Sequence, residues 1–421
     1  MPQARISLWK RNELYLIVSC LVFPVSLKLA IFCFGIFLSA RILFYDSLRL
    51  GHQLSLTERC IKVALFLAIA IFLFSFYQES RIHFYPVSDY DYLATLLVVL
   101  IVKIYPFTYK AIQQVCLAIA LSPLFVFLSD FRYFDFQIRN NWGFDNANGA
   151  GLYCAMCFPF ITIFLIDKSS LPKIKLLSKS YFSFLLLVIT TASWFCCAIF
   201  IISSGSRSAL YISILFLLLI AYLKVKSYHV YIYIPSKNLK SLTSLSFYFI
   251  LSTGFFVCLY QFLIIKLTFI NRFFDLANST NLYRIYIYQC YWELGKQKLW
   301  FGWGLNNLVT LCEEKLKSRY GGVNHAHNFI LQLFGDRGLI ITVLCLIVLA
   351  YFIVIPSLIF IFNYDFSSNQ LILLGICLSS LSILGVSLFQ LSLYHYPLFP
   401  LWLGLLWGWQ LNLLPQLHSR S

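Results

Sequence analysis

From Gly338 to Phe362 the chain runs through 25 residues without one charged side chain. The hydrocarbon core of a bilayer is about 30 Å thick, and a helix crosses it with about 20 apolar residues. Backbone polar groups in that core have no water to bond to, so a helix satisfies them internally. The same reading covers runs 14–27, 29–45, 61–77, 92–105, 111–128, 149–167, 182–203, 208–223, 246–266, 371–391 and 394–413. Together these runs predict about twelve crossings.

Composition supports the reading. The 421 residues are 60% hydrophobic and 11% charged. A soluble domain of that length must cover itself with polar groups and cannot hide so much apolar side chain. The expected fold class is all-α: a polytopic membrane helix bundle of about 12 transmembrane helices with a partly helical external loop. The basic N-terminal residues Arg5, Lys10 and Arg11 precede an apolar run that has no small-residue cleavage site. That run is read as a retained first span rather than a signal peptide.

The formal net charge is +16. In a membrane protein such charge marks cytoplasmic loops, and no Lys/Arg run here resembles a nucleic-acid arm, so nucleic acid is not an expected partner. With the N-terminus inside, the even-numbered turns are cytoplasmic. Arg41, Arg49, Arg59 and Lys62 flank the second turn, and Lys103 and Lys110 flank the fourth. Lys168, Lys173, Lys175 and Lys179 fill the sixth, and Lys224, Lys226, Lys237 and Lys240 the eighth. The short turns on the opposite side carry only Lys28, Arg81, Arg132, Arg139 and Arg207, while the long external loop is also basic, as long loops translocate regardless of charge. Twelve spans return the C-terminus to the cytoplasm as well.

Three regions follow: spans one to nine in 1–266, a long external loop in 267–337, and three spans in 338–421. Within the loop, Tyr283, Ile287, Cys290 and Leu294 recur at helical spacing after Asn281, and the Gly302-Trp303-Gly304 turn should close that helix. Most of the 13 cysteines lie inside apolar runs and read as small buried residues. Only Cys290 and Cys312 fall in the polar loop. A bridge there would need an oxidising compartment, and the sequence is read without one. Asp89 and Asp91 read as loop solvation.

Polar residues are costly to bury at a membrane face, so their clusters carry information. Four lie on the external side. Asn140 to Gly149, with Asn148 in it, reads as an Asn-capped turn and also presents amides to a sugar or phosphate. Ser203 to Leu210 is a very short turn that puts Arg207 at the start of a span. There it binds an anion or snorkels to lipid phosphate. Arg284 sits on the loop helix, where a solvated charge is the plainer reading. Asn324-His325-Ala326-His327-Asn328 comes last. On a helix His325 and His327 point apart and cannot share a metal; on a strand they could. The favoured reading is one working histidine that accepts a hydroxyl proton, with the second structural. Two histidines that only cap a helix start are the alternative.

The segments Asp145-Asn146-Ala147-Asn148-Gly149, Ser206-Arg207-Ser208-Ala209-Leu210, Phe301-Gly302-Trp303-Gly304 and His327-Asn328 resemble the O-antigen ligase/polymerase superfamily. So do their order, the span count and the long external loop. His327-Asn328, nine residues and Gly338 match the most specific motif; its final glycine is Ile341 here, which puts helix packing at that turn in question. The resemblance implies an integral-membrane glycosyltransferase of the bacterial inner membrane, inverting and metal-independent, with no cofactor and its active site facing the periplasm. It takes a glycan from a polyprenyl diphosphate carrier. The ligase type passes it to lipid A–core; the polymerase type passes it to another carrier-linked repeat. Arg207 and Arg284 would hold the donor diphosphate, and His327 would deprotonate or orient the acceptor hydroxyl. Asn148, His325 and Asn328 would support them, and membrane lipids surround the site.

The residues agree with that chemistry, since arginines bind phosphate oxygens bidentately. Trp142, Trp300 and Trp303 can stack on sugars or sit at the membrane interface. A competing class is a transporter of small anions or other solutes. It should place its polar groups near the bilayer midplane, at broken helices in inverted repeats. This sequence has no visible repeat, and its polar motifs gather at one face.

Overall fold

The structure is a computed structural model. It describes residues 14–21, 33–37, 89–104, 106–130, 147–166, 179–232, 279–304, 307–320, 325–364, 368–389 and 398–418. All regular elements among the described residues are helices. The helices are α1 (Asp89–Ile104), α2 (Tyr109–Asp130), α3 (Ala147–Ile166), α4 (Lys179–Ser203), α5 (Arg207–Ile232), α6 (Ser279–Gln297), α7 (Asn307–Tyr320), α8 (Phe329–Leu349), α9 (Ile355–Phe362), α10 (Ser368–Ser387) and α11 (Leu398–His418).

Six helical segments among the described residues are long and apolar enough to cross a bilayer: α2, α3, α4, α5, α8 continued through α9, and α10. The protein is a multi-pass membrane protein. Runs 61–77 and 246–266 lie outside the described residues. Asp89 and Asp91, expected in a loop, instead open α1.

The bundle is built around α3, which is almost wholly buried and touches α2, α4, α5 and α10. Lipid tails are as apolar as leucine, so span packing comes from close contact rather than from escaping water. Small residues provide it. Gly375 of α10 leaves room for Phe160 of α3; a Cβ there would come 2.8 Å from that ring. Gly404 and Gly408 of α11 are four apart, and they let α1 approach so closely that a Cβ on Gly404 would lie 2.6 Å from the Thr95 carbonyl. Buried hydroxyls find carbonyls instead of water: Ser193 Oγ donates to Ala120 O at 2.6 Å, and Ser379 Oγ to Met156 O at 2.8 Å. Cys154 and Cys157, three apart within α3, are buried and unbridged, as small apolar residues would be.

The outer faces run the other way. On α5, Tyr211, Ile214, Leu215, Leu218 and Tyr222 are exposed at helical spacing. On α8, Ile340, Ile341, Val343, Leu344 and Ile347 are exposed. In a membrane protein these are acyl-chain faces.

Between α8 and α9 the helix widens into a π turn, Ala350–Val354. Pro356 supplies no N–H, and its ring crowds the carbonyl four residues back. Gln410 of α11 reaches across to this place: its Nε2 donates to Ile353 O at 3.1 Å and to Ser357 Oγ at 3.0 Å.

Candidate functional site

The polar loop folds as a small unit of its own. Along α6, Tyr283, Ile287, Cys290, Tyr291 and Leu294 face inward, joined by Leu308 and Cys312 of α7 and by Ala326. This is the stripe the spacing predicts, although α6 starts at Ser279, ahead of Asn281. One expectation is overturned. Cys290 and Cys312 form a disulfide with Cα atoms 6.0 Å apart. The helical stripe that buries Cys290 brings it against the one cysteine of α7. An exposed pair adds to the same seam: Lys315 Nζ lies 2.8 Å from Glu293 Oε2 and holds that carboxyl below its ordinary value.

After α6 the chain turns through Lys298 to Gly304 and lies backbone-to-backbone on α8 around its break at Gly338. Trp303 N donates to Gly335 O and Gly304 N to Asp336 O, both at 2.9 Å, and Leu339 N donates to Leu299 O at 2.7 Å. Both strands of this clasp depend on glycine. Gly302 and Gly338 have φ of +69° and +76°, where a side chain is strained. A Cβ on Gly302 would meet the Asp336 carbonyl oxygen at 2.6 Å. Gly338 also breaks α8 internally, with ψ of −179°. Trp303 is turned into the unit, its Nε1 donating to Leu294 O at 2.7 Å and its ring covered by Lys298 Nζ at 4.2 Å. Trp300 is half exposed, and Trp142 lies outside the described residues. Ile341, where the motif has glycine, is 47% exposed; its packing surface is open.

The histidine segment enters α8. Asn328 is its N-cap: Oδ1 accepts from Ile330 N at 2.9 Å and from Leu331 N at 3.0 Å. The Asn328 amide also donates to Leu388 O at 2.8 Å, which ties the segment to the end of α10. His325 and His327 are on neither a helix nor a strand. His327 has φ of +52°, the only positive φ of a non-glycine among the described residues, a conformation that costs about 1–3 kcal/mol and persists only when neighbours enforce it. The neighbours are visible. His327 N donates to His325 Nδ1 at 3.1 Å, and the two rings stand 3.9 Å apart at 65°. Tyr288 Oη donates to His327 O at 3.3 Å.

Tyr288 also connects Arg284 to this segment. It lies one turn further along α6. Burial pushes its phenol up, and the Arg284 guanidinium opposes that. Arg284 and the His327 backbone thus flank one tyrosine that the sequence did not mark out.

Arg207 opens α5 directly after the Ser204-Gly205-Ser206 turn, as the short spacing implies. Gly205 has φ of +62°, and Ser206 N donates to Ser204 Oγ at 3.3 Å. The turn rests on α3: a Cβ on Gly151 would come 2.5 Å from Ser206 Cβ and 3.1 Å from Ser204 Oγ. Asn148 lies three residues before Gly151 on the same helix face. The Ser204–Ser206 turn thus rests on the helix that also carries Asn148, while Tyr288 links the surroundings of Arg284 to the His327 backbone. Residues 140–146 and Asn324 lie outside the described residues.

Residues 192–346 match the family model described as O-antigen ligase. Over that stretch the chain is similar to the O-antigen ligase family. No curated protein matches the chain. The matched stretch begins inside α4 and ends inside α8, so it spans the Arg207 turn, the loop unit with its disulfide and clasp, and the histidine segment. Asn148 stands outside the match, on the helix that Ser206 packs against.

Proposed function

We propose that this protein transfers a glycan from a polyprenyl diphosphate carrier to an acceptor hydroxyl at the periplasmic face of the bacterial inner membrane, and that it is of the ligase type, with lipid A–core as acceptor. The observation that carries the reading is Tyr288, which holds the backbone of His327 while sharing its surroundings with Arg284. It gathers a cation and a base in the one unit that the matched stretch contributes outside the spans.

The acceptor oxygen attacks the anomeric carbon, and the bond from that carbon to the diphosphate oxygen breaks with inversion. His327 takes the hydroxyl proton. Arg207 and Arg284 neutralise the charge that develops on the departing diphosphate; guanidinium groups do this well, being planar, always charged and able to bond two phosphate oxygens at once. Asn328 caps α8 and fixes the height of the segment, His325 holds the His327 amide, and Asn148 lines the approach beside the Arg207 turn. The division into 1–266, 267–337 and 338–421 follows the same logic, with the chemistry in the middle part. The disulfide supports an oxidising, periplasmic setting for the loop, and hence cytoplasmic termini. A transporter would need these groups at mid-depth. Here Arg207 opens a helix and His327 precedes one.

The test is complementation of a deletion strain. Arg207→Ala, Arg284→Ala and His327→Ala should each lose surface glycan while still inserting in the membrane. Wild-type glycan from His327→Ala would refute its role as base. Loss of all long chains on lipopolysaccharide gels of the deletion strain marks a ligase; a core bearing one repeat marks a polymerase.

A further inference from the structure

The histidine segment is held from beneath by two buried polar residues. Gln332 and Asp336 lie one turn apart on α8 and are 1% and 3% exposed. Gln332 Oε1 accepts from Ala326 N, the amide between the two histidines, at 2.9 Å. Gln332 Nε2 donates to Asp336 Oδ2 at 2.7 Å. With its NH₂ end donating to the carboxyl oxygen, the amide turns its oxygen end toward Ala326. Asp336 is itself fixed, because its carbonyl accepts from Gly304 N and Gly302 closes on its backbone. Buried polar pairs of this kind cost stability unless complete, and this one ends on the backbone of the strained His327 turn.

We infer that Gln332 and Asp336 are positioning residues for the transfer: their amide–carboxylate pair fixes the Ala326 amide and thereby sets the place of His327. The inference rests on the reading of His327 as the base. It extends the set of functional residues into α8, where neither the motif nor the chemistry had singled them out.

Exchanging the two groups tests it. In Gln332→Glu, two carboxylates face each other in a buried place. In Gln332→Glu/Asp336→Asn, the carboxylate accepts from Ala326 N and from the new amide, so the geometry returns with the groups swapped. Two readouts are taken on the full-length protein: glycan transfer, and amide hydrogen exchange across residues 325–331, with exchange in α3 reporting that the bundle is folded. Gln332→Leu and Gln332→Glu should each cut transfer by about 100-fold, the scale of a misplaced reacting group, and speed exchange in the segment. The double variant should slow that exchange again and recover transfer by at least about tenfold over Gln332→Glu. Full activity in Gln332→Leu overturns the inference. So does a double variant that restores exchange without transfer, or one that restores neither while α3 stays protected. An active His327→Ala removes the base reading alone, and the exchange pattern still shows whether the pair fixes the segment.

Discussion

Gly338 rests on the carbonyl of Trp300: a Cβ at position 338 would stand 2.3 Å from that oxygen. Its φ of +76° and ψ of −179° fall in a region that essentially only glycine occupies. Gly338→Ala should therefore lose at least about 2 kcal/mol and open the clasp, seen as a lowered thermal midpoint in detergent. Ile341→Gly, which restores the motif glycine on an open face, should change stability by no more than about 1 kcal/mol, the ordinary helix cost of glycine.

Tyr288→Phe removes the bond to the His327 carbonyl and leaves the ring. Transfer should fall several-fold, by about 1 kcal/mol of lost hydrogen bond, with no loss of membrane insertion. The same residue predicts an alkaline effect. Burial raises the phenols of Tyr283, Tyr288 and Tyr291 in the folded loop. The unfolded chain then loses those protons first, so stability is complete below about pH 10 and falls as pH rises beyond it. Thermal midpoints across that range should drop less steeply in Tyr288→Phe.

Asn328 does two things that a substitution can separate. Asp still caps α8 but cannot donate to Leu388 O. Ala does neither, and loss of the cap alone costs about 1 kcal/mol. Transfer should fall in the order Asn, Asp, Ala. Equal activity of Asp and Asn would mean that the tie to α10 is not used.

The Cys290–Cys312 bridge closes a loop with a sequence separation of 22. Reducing it, or replacing both cysteines by serine, should cost the loop unit about 3 kcal/mol. Limited proteolysis between α6 and α7 reports this directly, and the spans should stay protected.

What could be read beforehand was whatever repeats along one element. The apolar runs located α2, α3, α4, α5 and α10, and the stripe from Tyr283 to Leu294 located α6. Asp336 and Arg337 mark the polar edge of a span that the sequence begins at Gly338, and the helix does break there; what the sequence does not show is the helical stretch from Phe329 that leads into the break, with Asp336 buried against Gln332 rather than solvated. The disulfide, the clasp and Tyr288 were not legible for a different reason. Each joins separate elements through backbone atoms or a single side chain, and spacing within one element carries no trace of such contacts.

The π turn at Ala350–Val354 has a consequence for comparing sequences. It packs one more residue into its coil than an α-helix would. A relative whose span is regular there would need a single-residue gap to align, and without it every position up to that turn would be offset by about 100° around the axis. Gln410 is the marker to look for: a relative that keeps the extra residue should keep a donor opposite Ile353 and Ser357, and one that has lost the residue has no use for it.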